Sequence, residues 1–193
     1  MLRPFLIACL FLGQPAFAQE DATTVAMAEI VQAWANGDFV FVRQGLEQLA
    51  TQGGNALAQY RYGRVLLEGR GGPQDRALAI EWLEKAAAQN DADAATLLGQ
   101  VFLGRGAGRD ASRAAKLFAT AAARGKTQAQ YFLGRLYAEG DGVSRDPVAA
   151  FNWFLAASEQ GNAEAQYELS KAFARGLGTE QSGTEALHWL MEA

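Results

Sequence analysis

The sequence predicts an all-α fold, a superhelical α/α solenoid of antiparallel helix hairpins. Three observations carry this. Gly63, Gly99, Gly134 and Ser170 recur at spacings of 36, 35 and 36, and Ala58, Ala94, Ala129 and Ala165 keep the same spacings. A period of that size is the mark of stacked units, none of which can bury its apolar face alone. Alanine is abundant while Val, Ile and Thr are sparse, a bias that favours helix because Ala loses no side-chain entropy there. Caps sit in register: Asp75, Asp110 and Asp146, with Ser182 in the fourth place. Half of the 193 residues are apolar and 20% are charged, enough for one domain with a real core.

The first 18 residues fall outside that pattern. Arg3 gives a basic start, Phe5 to Leu12 is an apolar run, and Ala16-Phe17-Ala18 is a small-x-small cleavage signal followed by polar Gln19-Glu20-Asp21. This is the order of a secretory signal peptide, with cleavage expected after Ala18. The apolar run is too short to span a bilayer as a helix. Leu6-Ile7-Ala8-Cys9 looks like a lipoprotein box, but Cys9 lies too early and the apolar run continues past it. Cys9 is the sole cysteine, so the mature chain is expected to have no disulfide even in an oxidising compartment. Loss of Arg3 leaves it one charge more acidic than the formal −4 of the full sequence. That balance does not suggest a nucleic-acid partner. No mature segment is apolar for long enough to form a transmembrane helix.

Residues 19–54 read as a degenerate leading hairpin. Thr23 to Ala35 has a helical pattern, Asn36-Gly37-Asp38 is a tight turn, and Phe39 to Gln52 is a second helix closed by Gly53-Gly54. Four units follow, at 55–90, 91–125, 126–161 and 162–193. Each reads as two helices. In the third, the first helix spans roughly 127–138, with Ala129, Leu133, Gly134 and Tyr137 on one face. The second spans roughly 147–160. Asp146 is its N-cap and Pro147 lies in its first turn, where a missing N–H costs nothing. Ala150, Trp153, Phe154 and Ala157 form its apolar stripe, and Gly161 ends it. Trp82, Leu117, Trp153 and Trp189 each lie seven residues after the cap, and Ala86-Ala87, Ala121-Ala122 and Ala157-Ser158 close their units. The mid-helix glycines Gly63, Gly99 and Gly134 each cost about 1 kcal/mol relative to Ala. Their recurrence implies that the second helix packs so closely there that a methyl group would clash. In the fourth unit the chain reaches Ala193 inside the second helix, so either Leu187, Leu190 and Met191 lie against a partner, end-to-end self-association included, or the last helix is simply short.

The residues Tyr131-Phe132-Leu133-Gly134-Arg135-Leu136-Tyr137-Ala138-Glu139-Gly140-Asp141-Gly142-Val143, continued by Asp146 and Ala149 to Ala157, resemble the Sel-one-like repeat, a relative of the tetratricopeptide repeat. The resemblance covers residues 55–193. It implies stacked hairpins whose first helices line a concave groove, and a role in protein–protein interaction. Relatives include periplasmic regulators of envelope signalling and exopolysaccharide pathways, and secreted host-interaction proteins.

Several motifs have plain structural readings. The loops Gly69-Arg70-Gly71, Gly104-Arg105-Gly106, Gly140-Asp141-Gly142 and Gly176-Leu177-Gly178 follow a helix, whereas a phosphate cradle follows a strand. They are expected to supply positive φ between helices. His188 is the only histidine; without cysteines it cannot found a zinc site, and beside Trp189 in the last helix it reads as a solvent-side residue. No metal and no cofactor is expected. Asp75, Asp110 and Asp146 read as caps and not as acid–base carboxylates.

One pattern points outward. Tyr60 with Arg64, Tyr131 with Arg135, and Tyr167 with Lys171 stand at i, i+4 and so share a helix face; the second repeat has Thr96 and Gln100 there. By the resemblance these positions face the groove and present a ladder of aromatic and basic heads. Tyr and Arg are frequent interface anchors, although Tyr is also common here for packing. Gln59, Gln130 and Gln166, one residue earlier, are expected at the groove edge, and Glu68 and Glu139 temper two rungs. The resulting expectation is an exported, periplasmic or secreted, non-catalytic adaptor or regulator from a bacterium, binding a protein or peptide in its groove. The alternatives are a β-lactam hydrolase, as linked to cysteine-rich relatives, and a scaffold in an envelope secretion or polysaccharide complex. The first lacks both the paired cysteines and a Ser-x-x-Lys motif in this sequence.

Overall fold

The computed structural model describes residues 16–104 and 108–193. It contains ten helices and no strand among those residues: α1 (Ala16–Ala35), α2 (Phe39–Gln52), α3 (Ala56–Glu68), α4 (Arg76–Ala88), α5 (Ala92–Leu103), α6 (Ala111–Ala122), α7 (Thr127–Glu139), α8 (Pro147–Ser158), α9 (Ala163–Arg175) and α10 (Gly183–Glu192). Each helix packs chiefly on its neighbours in sequence, the arrangement of a solenoid. The basic start and Cys9 of the expected signal peptide lie outside the described residues. α1 begins at Ala16, seven residues before the Thr23 expected from the pattern, so its first turn includes Ala16 to Ala18.

The caps explain where helices start. Asp75, Asp110, Asp146 and Ser182 accept from backbone N–H groups in the first turns of α4, α6, α8 and α10. Asp38, Asn55, Asp91 and Asn162 do the same for α2, α3, α5 and α9. Among the helices whose N-cap residue is described, α7 alone starts without a side-chain cap, at Lys126.

The core is a run of apolar clusters between consecutive helices. Phe118 and Leu133 are fully buried in the central cluster, Val42, Leu46 and Leu66 in the leading one, and Leu169 in the last. Trp82 is buried and meets Tyr62 edge to face at 5.7 Å. Trp153 and Trp189 are only half-buried, so the stripe of α8 is carried by Ala150, Phe154 and Ala157. The repeated glycine is a place of close approach. A Cβ on Gly134 would stand 2.8 Å from the Phe154 ring; on Gly99, 2.7 Å from Phe118; on Gly63, 2.8 Å from Leu83.

A second contact fixes repeat to repeat. Gly71, Gly142 and Gly178, the later glycine of each loop, all have positive φ. A Cβ on them would lie 2.0 Å from Phe39 O, 2.3 Å from Ala111 C and 2.0 Å from Pro147 O respectively. Each loop therefore rests on the first residue of the second helix of the preceding hairpin. The second repeat departs from the rest. α5 has 12 residues against 13 in α3, α7 and α9. Its closing Gly104 has φ −58 and not the expected left-handed value, which Gly69, Gly140 and Gly176 do adopt. One residue fewer between Gly99 and Gly104 ends the helix before that turn forms. Arg105 and Gly106 of this loop lie outside the described residues.

Candidate functional site

The paired positions all lie on the first helices of the repeats: Tyr60 and Arg64 on α3, Thr96 and Gln100 on α5, Tyr131 and Arg135 on α7, and Tyr167 and Lys171 on α9. Tyr60 and Tyr131 are half-buried, Tyr60 against the central core cluster and Tyr131 against the last one, with its ring 6.3 Å from Phe154. Tyr167 is 51% exposed. The tyrosines thus combine a packing edge with a free edge. The cations lean back over them, Arg135 at 5.9 Å from the Tyr131 ring and Lys171 at 5.2 Å from that of Tyr167, within reach of a cation–π attraction.

The basic heads are not bare charges. Arg64 pairs with Glu68 at 2.7 Å, Arg135 with Glu139 at 3.2 Å and Lys171 with Glu168 at 2.7 Å. The first two pairs were legible from the i, i+4 spacing; Glu168, at i−3, was not anticipated. Hydrogen bonding to Glu68 holds the Arg64 guanidinium above its ordinary pKa against the pull of desolvation. Desolvation draws Arg135 down, but the bond and charge of Glu139 outweigh it and the pKa is raised. Desolvation pushes the Glu68 carboxyl up, yet the bonds from Arg64 and Arg70 win and its pKa is lowered. Exposed pairs of this kind are worth only about 0.3–0.5 kcal/mol each, so a partner carboxylate can compete for the arginines.

The three glutamines do not line a groove edge. Gln59, Gln130 and Gln166 are buried, at 5%, 6% and 7% exposure. Gln89 donates to Gln59 Oε1 at 2.7 Å and Gln160 donates to Gln130 Oε1 at 2.7 Å. Gln130 donates in turn to the Ala122 carbonyl at 3.3 Å, and Gln166 to the Ser158 carbonyl at 3.4 Å. They tie the ends of the second helices to the adjoining first helices. A buried amide must find such partners, and the signal was present: Gln130 lies three and four residues before buried Leu133 and Gly134.

Two depressions border the second repeat. The wider one, near α4 and α6, carries Arg76, Arg109 and Arg113. Their guanidinium groups are already engaged, Arg76 with the Val101 carbonyl at 2.5 Å, Arg113 with Glu84 at 2.5 Å, and Arg109 with Asp141. The narrower cleft, about 290 Å³, lies between α5 and α7; Gln100, Arg109, Arg135, Glu139 and Asp141 line it together with Leu103, Phe132 and Leu136. Among the described residues no group of three or more His, Cys, Asp or Glu could hold a metal ion. His188 is exposed, its ring 5.2 Å from that of Trp189. Among the same residues no helix is long and apolar enough to cross a membrane.

The family model of the Sel1 repeat matches residues 56–91, 92–126, 127–162 and 163–193. A Sel1 repeat protein from Oxalobacter formigenes superposes with a TM-score of 0.78 at 28% identity, over 89% of this chain and 74% of that one. A protective antigen of uropathogenic Escherichia coli with an SLR fold gives 0.74 at 32% identity, over 78% of this chain. This chain spans only 32% of that antigen's length. No curated protein matches the chain.

Proposed function

Because this chain belongs to the Sel1 repeat family, whose repeats generally serve protein–protein interaction and are typically non-catalytic scaffolds, we propose that it is an exported adaptor or regulator that holds a protein or peptide partner along the face of its first helices. The observation that carries the reading is the ladder itself. Tyr60–Arg64, Tyr131–Arg135 and Tyr167–Lys171 repeat on successive first helices with their polar heads at solvent, and Gln100 and Arg135 of neighbouring rungs open into one cleft. Equivalent side chains recurring on successive first helices, with weakly held cations and free aromatic edges, suit an extended partner segment. Export rests on the residue order of positions 1–21, and the proposed compartment is the periplasm of a Gram-negative bacterium or the outside of the cell. Self-association through α10 is a lesser part of the proposal, supported by the exposure of Leu187, Leu190 and Met191 at 59%, 51% and 79%.

The test is affinity capture from envelope extract, read by mass spectrometry, with the wild type and with Tyr131→Ala/Arg135→Ala. The double variant is expected to lose the captured partner while its helical circular dichroism stays unchanged. Equal capture by both proteins refutes the ladder as the binding surface.

A further inference from the structure

An end unit of a solenoid needs a polar outer face to stay soluble alone. Neither end of the described array has one. At the far end, Leu190 follows Leu83, Phe118 and Phe154 at one repeat position. Those three are buried. Each lies against the glycine of its own first helix. Each also shares a core cluster with the first helix of the next hairpin: Leu83 with Leu98, Phe118 with Leu133, and Phe154 with Leu169. Leu190 has Ser170 at the glycine place, yet it is 51% exposed. Leu187 and Met191 lie at i−3 and i+1 from it, on the same side of α10, and are exposed too. At the near end, α1 closes on α2 through Met27, Ile30 and Trp34. Its opposite face is open. Among its exposed residues between Thr24 and Ala35, Glu29 alone is charged, while Val25, Ala28 and Val31 stand at solvent. A helix that only meets water carries polar residues over that face.

We propose that these two faces are the halves of one interface: α10 of one copy receives α1 of a second copy, and the array continues head to tail. The inference rests on the self-association through α10 put forward above and names the surface that α10 meets. What selects the occupant is continuity with a contact the molecule already makes four times. Each second helix is packed against the first helix that follows it, at α2 with α3, α4 with α5, α6 with α7 and α8 with α9. α10 repeats the second-helix side of that contact, with Leu190 in the register of Leu83, Phe118 and Phe154. α1 is the first helix of the leading hairpin, and among the described residues no second helix packs on its outer side. Leu187, Leu190 and Met191 on one side and Val25, Ala28 and Val31 on the other are uncharged, so the contact buries no unpaired ion among them. A contact between unlike faces does not close on itself as a two-fold dimer does; it adds copies in a line.

The full chain, purified as the cell processes it, is followed by sedimentation equilibrium from about 10 μM to about 1 mM, the range of weak association. The average mass is expected to climb past that of a dimer as concentration rises. Two variants each block one face: Leu187→Glu/Met191→Glu on α10 and Val25→Glu/Val31→Glu on α1. All four side chains are exposed, so the helical circular dichroism of each variant should match the wild type. Each variant alone is expected to stay monomeric. Mixed in equal amounts they should form a dimer and nothing larger, since the pair keeps one intact α10 and one intact α1. A mixture that stays monomeric overturns the head-to-tail contact, as does wild-type association by Val25→Glu/Val31→Glu. If Leu187→Glu/Met191→Glu is still monomeric in that last case, α10 meets another surface of the second copy, and self-association stands without α1. A wild type that is monomeric throughout removes both, and leaves the ladder to its own capture test.

Discussion

Ser158 shows how far a single atom can sit from its best choice. It occupies the second place of a small pair filled by alanine at Ala87 and Ala122. It is 2% exposed, and its buried Oγ has no hydrogen-bond partner among the described residues. A buried hydroxyl without a partner carries a desolvation cost of about 1–3 kcal/mol. Ser158→Ala should therefore raise stability by about 1 kcal/mol, seen as a higher midpoint in urea; a lower midpoint would mean that the hydroxyl has a partner. The register of this residue was legible in the sequence. Its isolation was not, because pairing depends on what the next helix brings near.

At the scale of the helix, the glycine of each first helix is the pivot of its hairpin. The sequence already demanded a reason for tolerating Gly134 mid-helix, and the reason is the Phe154 ring of α8 at 2.8 Å from where a Cβ would be, backed by the Ala150 carbonyl at 3.3 Å. Gly134→Leu should destabilise by about 3 kcal/mol through overpacking, with hydrogen exchange rising first in α7 and α8. Unchanged melting would contradict the close approach. Ser170 fills the same place in α9 and faces α10, where Leu190 stays half exposed. The caps and the helix pairs could be read from sequence because they are local. The glutamines were misread because a polar side chain suggested solvent, although their spacing from Leu133 and Leu169 put them on the inner face.

Across the whole molecule, the hairpins are joined by clusters such as Phe118 with Leu133 and by the loop glycines seated on the preceding helix. Gly142→Ala would force a side chain into φ +74 and onto the Ala111 backbone. A loss of about 3 kcal/mol is expected, with exchange rising at the α6–α7 junction while α1 and α2 keep their protection; a uniform rise would deny that the loop holds neighbours together. No local motif announced this contact, since it links the loop of one hairpin to the second helix of the hairpin before it. The candidate site was half legible. The tyrosines and bases were named from spacing, but the cleft beside Gln100 arises from a one-residue shortening of α5 that only the stacked helices turn into a space.

The seating of Gly71, Gly142 and Gly178 on main-chain atoms has a consequence for how such an array can change over generations. Backbone touching backbone works as a gauge block: the step between units is set by atoms that every amino acid shares. Outward-facing side chains can then be exchanged while the step set by those contacts is kept. A partner measured against it must match that step even when its chemistry is rewritten.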